Sequence, residues 1–365
     1  VLWYYWKHVP LQDQGKRHSA PLMLIGAGLL GALLPLLPII LSYRQVEFQD
    51  TFDRYTLPAS MGVMIVLIGL SLLINSRTRL WLLGTLLAFS IMTQYNNAAY
   101  FRDFWNYQRQ TWWQLSWRAP DIRDGATLVA MLPQGYRLAE SYEVWGPVNL
   151  IYRPEDTTIK ISGEAINQDT LAAMLTSQSY GKTMRRIDLK MDFKNLLVLN
   201  FPPGGSCLHV MDGQSSEFPE NTDPQVLLIS HLSRTDLILG DAEPKQPPQA
   251  IFGAEPQHNW CYYYQKASLA RQKSDWKAVV SLGDEALALG LSPADASEWM
   301  PFYEAYAREK RYNEANQLGG YLRDAPYFIN MYCAQFKTDD SSSTTINTED
   351  RFIVENLCPD LLNKE

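Results

Sequence analysis

The residues best placed to do chemistry are Gln49-Asp50-Thr51-Phe52-Asp53-Arg54-Tyr55-Thr56-Leu57-Pro58, a polar loop that runs straight into an apolar stretch. An Arg flanked by an Asp and a Tyr stands where that stretch begins, and a guanidinium offers paired N–H donors that match phosphate oxygens. Arg44, Asp53, Arg54 and Tyr55 are therefore the candidate lipid-phosphate-binding residues. The plain alternative for the same residues is an interfacial anchor containing an Asp–Arg pair. No catalytic residue can be named. His209 and His231 each sit beside apolar neighbours, with no legible Ser, Cys or carboxylate constellation around them, and read as structural.

Two further motifs invite a chemical reading and do not sustain it. Gly26-Ala27-Gly28-Leu29-Leu30-Gly31 fits a dinucleotide fingerprint, but that motif needs a strand before it and a helix N-terminus at the phosphate. Here it lies inside an unbroken apolar run, where small residues let helices pack closely. Pro202-Pro203-Gly204-Gly205 lacks the Lys-Ser/Thr of a phosphate-cradling loop and reads as a turn between strands. No cofactor is expected. The four cysteines, Cys207, Cys261, Cys333 and Cys358, are disulfide candidates; no CxxC and no His cluster supports a metal site. Of the three possible connectivities, Cys207–Cys261 with Cys333–Cys358 closes the shortest loops and is preferred.

The elements that must position these residues begin with three apolar stretches at 21–42, 57–74 and 80–91, the last reaching span length with residues 92–99. A bilayer-crossing helix needs about 20 apolar residues. Lys16, Arg17, Arg77 and Arg79 fall on one side of a three-span arrangement, which the positive-inside rule makes cytoplasmic. The loop at 43–56 and everything after about residue 94 then face outward, where disulfides persist. The opening Val1-Leu2-Trp3-Tyr4-Tyr5-Trp6-Lys7 resembles the interfacial end of an earlier span, so residues 1–20 are read as a juxtamembrane segment. Hydrophobic residues make up 46% of the chain while mean hydropathy is −0.21, so the apolar excess is concentrated in the spans. A net charge of −7 argues against a nucleic-acid partner.

Beyond the spans of residues 21–94, the aromatic-rich stretch 95–117 predicts a helix lying at the membrane surface. Residues 118–241 predict an α/β domain with one mixed sheet, its strands at 126–132, 158–162, 196–201, 207–211 and 225–230 and a helix over 167–178. Residues 242–257 read as a Pro-rich linker marking a domain boundary. Four helices follow, at 259–272, 276–289, 294–309 and 312–323. The segment ARQKSDWKAVV from Ala270 is echoed by AREKRYNEA from Ala307, placing Trp276 and Tyr312 about 36 residues apart. That period resembles tetratricopeptide-type stacking, with Ala286, Tyr306 and Ala315 matching the pattern; Gly283 and Gly319 stand where a larger residue is usual. Residues 258–335 form this module, and residues 336–365 a polar tail with a short helix.

The element Asp53-Arg54-Tyr55-Thr56-Leu57-Pro58 resembles one in late membrane segments of GT-C-type glycosyltransferases, the dolichyl-phosphate-mannose–protein mannosyltransferase-like group. The phrases Trp117-Arg118-Ala119-Pro120, Phe201-Pro202-Pro203-Gly204 and Trp260-Cys261-Tyr262-Tyr263-Tyr264 make the whole chain similar to large membrane proteins of filamentous green bacteria (Chloroflexota). The resemblance implies the C-terminal part of a polytopic bacterial envelope enzyme that uses a polyprenyl-phosphate sugar carrier, its acidic catalytic residue lying upstream of this chain. The expected fold class is three transmembrane helices, an extracytoplasmic α/β domain and a tetratricopeptide-like helical module. The reading from another class is a non-catalytic membrane-anchored scaffold whose helical module binds an envelope protein.

Overall fold

The computed structural model describes residues 19–43, 53–133, 138, 140–166, 168–176, 179–184, 187–213, 217–334 and 348–359. The chain divides into two compact units, Val1–Asp103 and Phe104–Glu365.

In the first unit, helix α1 (Ser19–Leu33) passes through a 3-10 turn (Leu34–Leu36) into α2 (Leu37–Leu41). Pro35 and Pro38, which lack an amide donor, account for the local tightening. Helices α3 (Leu57–Leu72) and α4 (Ser76–Arg118) follow. Together α1, the 3-10 turn and α2 make Ala20–Leu41 the one described segment long and apolar enough to cross a membrane. The helix α3 is apolar but shorter, and α4 is not of that kind, so one of the three expected spans is found by length and composition. The glycine motif of residues 26–31 is helical backbone. A Cβ on Gly28 would stand 2.7 Å from the Val66 amide nitrogen, and one on Gly62 would run into the Gly31–Ala32 backbone. These glycines are a seam between α1 and α3, not a cofactor cradle.

The second unit carries a four-stranded sheet in the order β2 (Ser162–Ala165), β1 (Thr127–Met131), β5 (Leu196–Asn200), β6 (His209–Val210). Strand β1 runs parallel to both neighbours, and β6 is antiparallel to β5, so the sheet is mixed. Period-2 alternation sorts its side chains. Leu128, Ala130, Leu197 and Leu199 join Trp112, Leu115 and the helix α5 (Tyr142–Tyr152) in one core. Val129, Leu196, Val198 and Met211 join Met174 of α6 (Gln168–Leu175) and Val226 of α7 (Pro224–Ile229) in another. Gly163 lets α5 close onto β2, because a Cβ there would lie 2.7 Å from the Trp145 amide. A hairpin, β3 (Ser179–Met184) with β4 (Ile187–Asp192), forms a separate two-stranded sheet.

Four expectations are corrected here. The stretch 225–230 is helical: Asp223 caps it by accepting from the Gln225 amide, and Pro224 occupies its first turn. The strand expected at 158–162 lies at Ser162–Ala165 instead. The aromatic stretch 95–117 does not end as a surface helix, because Trp112, Trp113 and Trp117 are in the core, the first two about 1% exposed. Residues 242–257 do not separate two domains. They include the short helix α8 (Gln249–Phe252), whose Phe252 is buried and whose carbonyl accepts from Arg109 Nε at 2.8 Å.

The rest of the unit is helical: α9 (Trp260–Gln272), α10 (Trp276–Ala288), α11 (Met300–Arg308, after a 3-10 turn), α12 (Tyr312–Arg323), α13 (Pro326–Ala334) and α14 (Thr348–Leu357). The repeat is visible in the backbone. Ser274 and Lys310, equivalent positions, both take positive φ (55° and 62°) in the turns that end α9 and α11. Disulfides join Cys207 to Cys261 and Cys333 to Cys358, with Cα atoms 5.3 and 5.7 Å apart.

Candidate functional site

A cleft of about 510 Å³ opens in the second unit, where β6 and the residues after it face α9, α10 and α11. Helical spacing builds its wall. Tyr264, Ser268 and Arg271 recur at i, i+4 and i+7 along α9, so one face of that helix lines the cleft. Glu304 and Arg308, four apart on α11, line it as well. Arg118, the last residue of α4, closes the set.

The charges divide into paired and unpaired. Arg271 Nη1 meets Glu217 at 2.5 Å and its Nε meets Glu304 at 2.5 Å. Arg308 Nη2 lies 2.9 Å from the other Glu304 oxygen, with its guanidinium 4.6 Å from the Trp276 ring centroid. Burial works to lower Arg271, but the two carboxylates outweigh it and hold the guanidinium above its ordinary value. At Glu217 the balance falls the other way: burial pushes its carboxyl up against the pull of Arg271. The guanidinium is the firmer of the pair, since it gains from two carboxylates while Glu217 has one arginine. Arg118 is different. It is 5% exposed, and its Nη1 has no hydrogen-bond partner among the described residues. Burial lowers it to about 10, although Tyr264 and Asp212 favour its charged form. Gln272 donates from Nε2 to the Thr235 carbonyl at 2.8 Å and leaves a buried Oε1 unsatisfied.

Behind the cleft lies a buried polar network. Glu298, fully buried, accepts from Ser206 Oγ (2.6 Å), the Cys207 amide (2.7 Å) and Trp260 Nε1 (2.7 Å). His209 sits between Tyr264, whose hydroxyl is 3.1 Å from Nδ1, and Ser206, 3.4 Å from Nε2. Ser, His and Glu stand together here, yet not as a nucleophilic triad. The hydroxyl donates to the carboxylate rather than to the imidazole, and the second imidazole nitrogen faces a tyrosine instead of an orienting acid.

Of the sequence candidates, Arg44 lies outside the described residues. Asp53 and Arg54 are described only as backbone, in a 3-10 turn (Asp53–Thr56) leading into α3; Tyr55 is half-buried. The described residues that line the cleft include none of these candidates. Gly204 and Gly205 take φ of 90° and 86° in the turn between β5 and β6, and His231 is exposed on a 3-10 turn. None of the cleft residues is a site candidate on sequence grounds, although the echo of ARQK and AREK holds a signal. Its two arginines, Arg271 and Arg308, converge on Glu304.

No family model, curated protein or solved structure matches this chain.

Proposed function

We propose that this chain is a membrane-anchored protein of a bacterial cell envelope, and that its unit Phe104–Glu365 is an exterior binding module that captures a small polar ligand in the cleft. The observation that carries this reading is the buried Arg118 guanidinium lining a cleft of about 510 Å³ without a partner for its Nη1. That volume lies in the range of small-molecule sites. Anchoring is supported by Ala20–Leu41, whose apolar side chains, such as Leu30 and Leu33, stay exposed as lipid-facing ones do. In this reading α3 and the apolar beginning of α4 also cross the bilayer. Two disulfides support an oxidising exterior.

A small ligand fits better than a peptide partner of the helical repeat. The first helix of each pair is covered by the chain itself: Gln265 of α9 donates to the Leu208 carbonyl, and Tyr303 of α11 to that of Ile353. A partner would have to displace these packed segments.

The test is sidedness. In sealed vesicles keeping the orientation of the cell, a membrane-impermeant amine reagent should modify the exposed Lys277 and Lys310 of the full chain before lysis. Modification only after the membrane is opened would refute the exterior placement.

A further inference from the structure

We propose that the cleft takes a small monoanionic carboxylate that also carries a hydrogen-bond donor, with the carboxylate on Arg118 and the donor on Gln272. The inference rests on the reading of this unit as a binding module and names its ligand class.

Three observations lead there. The first is the cost of Arg118. Buried and with its Nη1 unpaired, this guanidinium is costly for a core to hold even with Asp212 favouring its charge, and removing it should stabilise the empty protein. A bound carboxylate would offset that cost by accepting parallel N–H bonds from the guanidinium. The second is Gln272. Its Nε2 is committed to the Thr235 carbonyl, and the opposite amide orientation would set two oxygens against each other. A ligand N–H or O–H would satisfy the orphaned Oε1.

The third observation is charge. Arg271 and Arg308 are occupied by Glu217 and Glu304, so they offer an incoming anion little net attraction. Glu217 and Glu304 are neutralised in turn, which leaves Arg118 beside Asp212, able to balance one incoming negative charge at most. A carboxylate with one charge fits this field; a phosphate dianion does not. The chemistry recognised is that of a hydroxy acid, a sugar acid or an N-acylated amino acid.

The experiment uses the full chain in detergent and four probes: N-acetylglycine, D-glucuronate, inorganic phosphate and D-glucose. Binding is followed by calorimetry, and stability by thermal unfolding. The two carboxylates should bind saturably and at least tenfold more tightly than phosphate, with no response to glucose. Arg118→Met should abolish the carboxylate response while raising the unfolding temperature of the free protein, which separates lost binding from lost fold. Gln272→Leu should weaken the carboxylates about tenfold and leave the fold intact. Absence of saturable carboxylate binding overturns the proposal, as does tighter phosphate binding or an undiminished response in Arg118→Met. Each of these results leaves the amine-labelling test untouched, so the ligand class and the exterior placement fail separately.

Discussion

Two buried charges meet opposite treatment in this protein. Glu298 is fully buried and receives three donors within 2.7 Å, so its desolvation is offset by charge-assisted hydrogen bonds. Arg118, almost as deep, has an orphaned donor. The first is a structural knot; the second is the contact proposed for a ligand carboxylate. Glu298→Gln keeps the shape but points an amide NH₂ at groups that are themselves donors. We expect a loss of about 3 kcal/mol in chemical denaturation, against about 1 kcal/mol for Ser206→Ala, which removes one donor. A Glu298→Gln variant as stable as the parent would show that the network does not hold the core. Neither role was legible in the sequence. Ser206 and Glu298 lie 92 positions apart, and nothing in the local run Ala296–Trp299 marks its glutamate as buried. Apolar neighbours and the lack of a nearby constellation make His209 look isolated in the sequence, yet Ser206 and Glu298 stand beside it.

Helices with a strong period or a turn signal were read well, and tertiary context decided the rest. The boundaries of α9, α10 and α12 follow from their apolar stripes, as β1 and β5 do from Val- and Leu-rich runs. The run 225–230 carries a strand-like apolar content that masks the Asp223-Pro224 helix start. Helix α5 escaped notice with Pro147 inside it, and the hairpin β3–β4 with its mixed polar faces. The aromatic run before Arg118 looked interfacial, since Trp serves a membrane surface and a core equally well. The two glycines noted at large-residue positions now have a reason. A Cβ on Gly283 would stand 2.9 Å from both Phe302 Cδ1 and the Tyr306 hydroxyl, and one on Gly319 would stand 3.1 Å from Tyr303 Cε2. Each glycine admits an α11 aromatic where a side chain is usual. Gly283→Ala should therefore cost about 1–3 kcal/mol through overpacking. Gly320→Ala, in the same helix as Gly319 with open space around it, should gain about 0.5–1 kcal/mol. Thermal unfolding of the two variants tests this, and equal effects would show that the close approach carries no energetic weight.

At the scale of the whole molecule, the division found at residue 103/104 differs from the boundaries expected at 117 and 241–257. Composition marks a Pro-rich stretch as a linker, but it does not record that Phe252 inserts into the sheet core or that Trp117 Nε1 reaches Glu255 at 2.8 Å. The sheet and the helical repeat are consequently one body, fastened across their junction by the Cys207–Cys261 bond. That fastening changes how the protein would carry mechanical load. Cys207 and Cys261 are separated by 54 positions along the chain, and everything between them, from β6 through α8, lies inside a covalent bypass. Tension applied at the two termini would run through sulfur and leave those elements unloaded even when the remainder is pulled straight. In an optical trap, reduction of both bonds should add an extension on the order of 270 Å at about 3.4 Å per released residue, roughly 180 Å of it from the Cys207–Cys261 loop. An unchanged extension would mean that the bond does not form in the native protein. An envelope protein built this way would keep β6, one wall of its cleft, shielded from stretching of the surface around it.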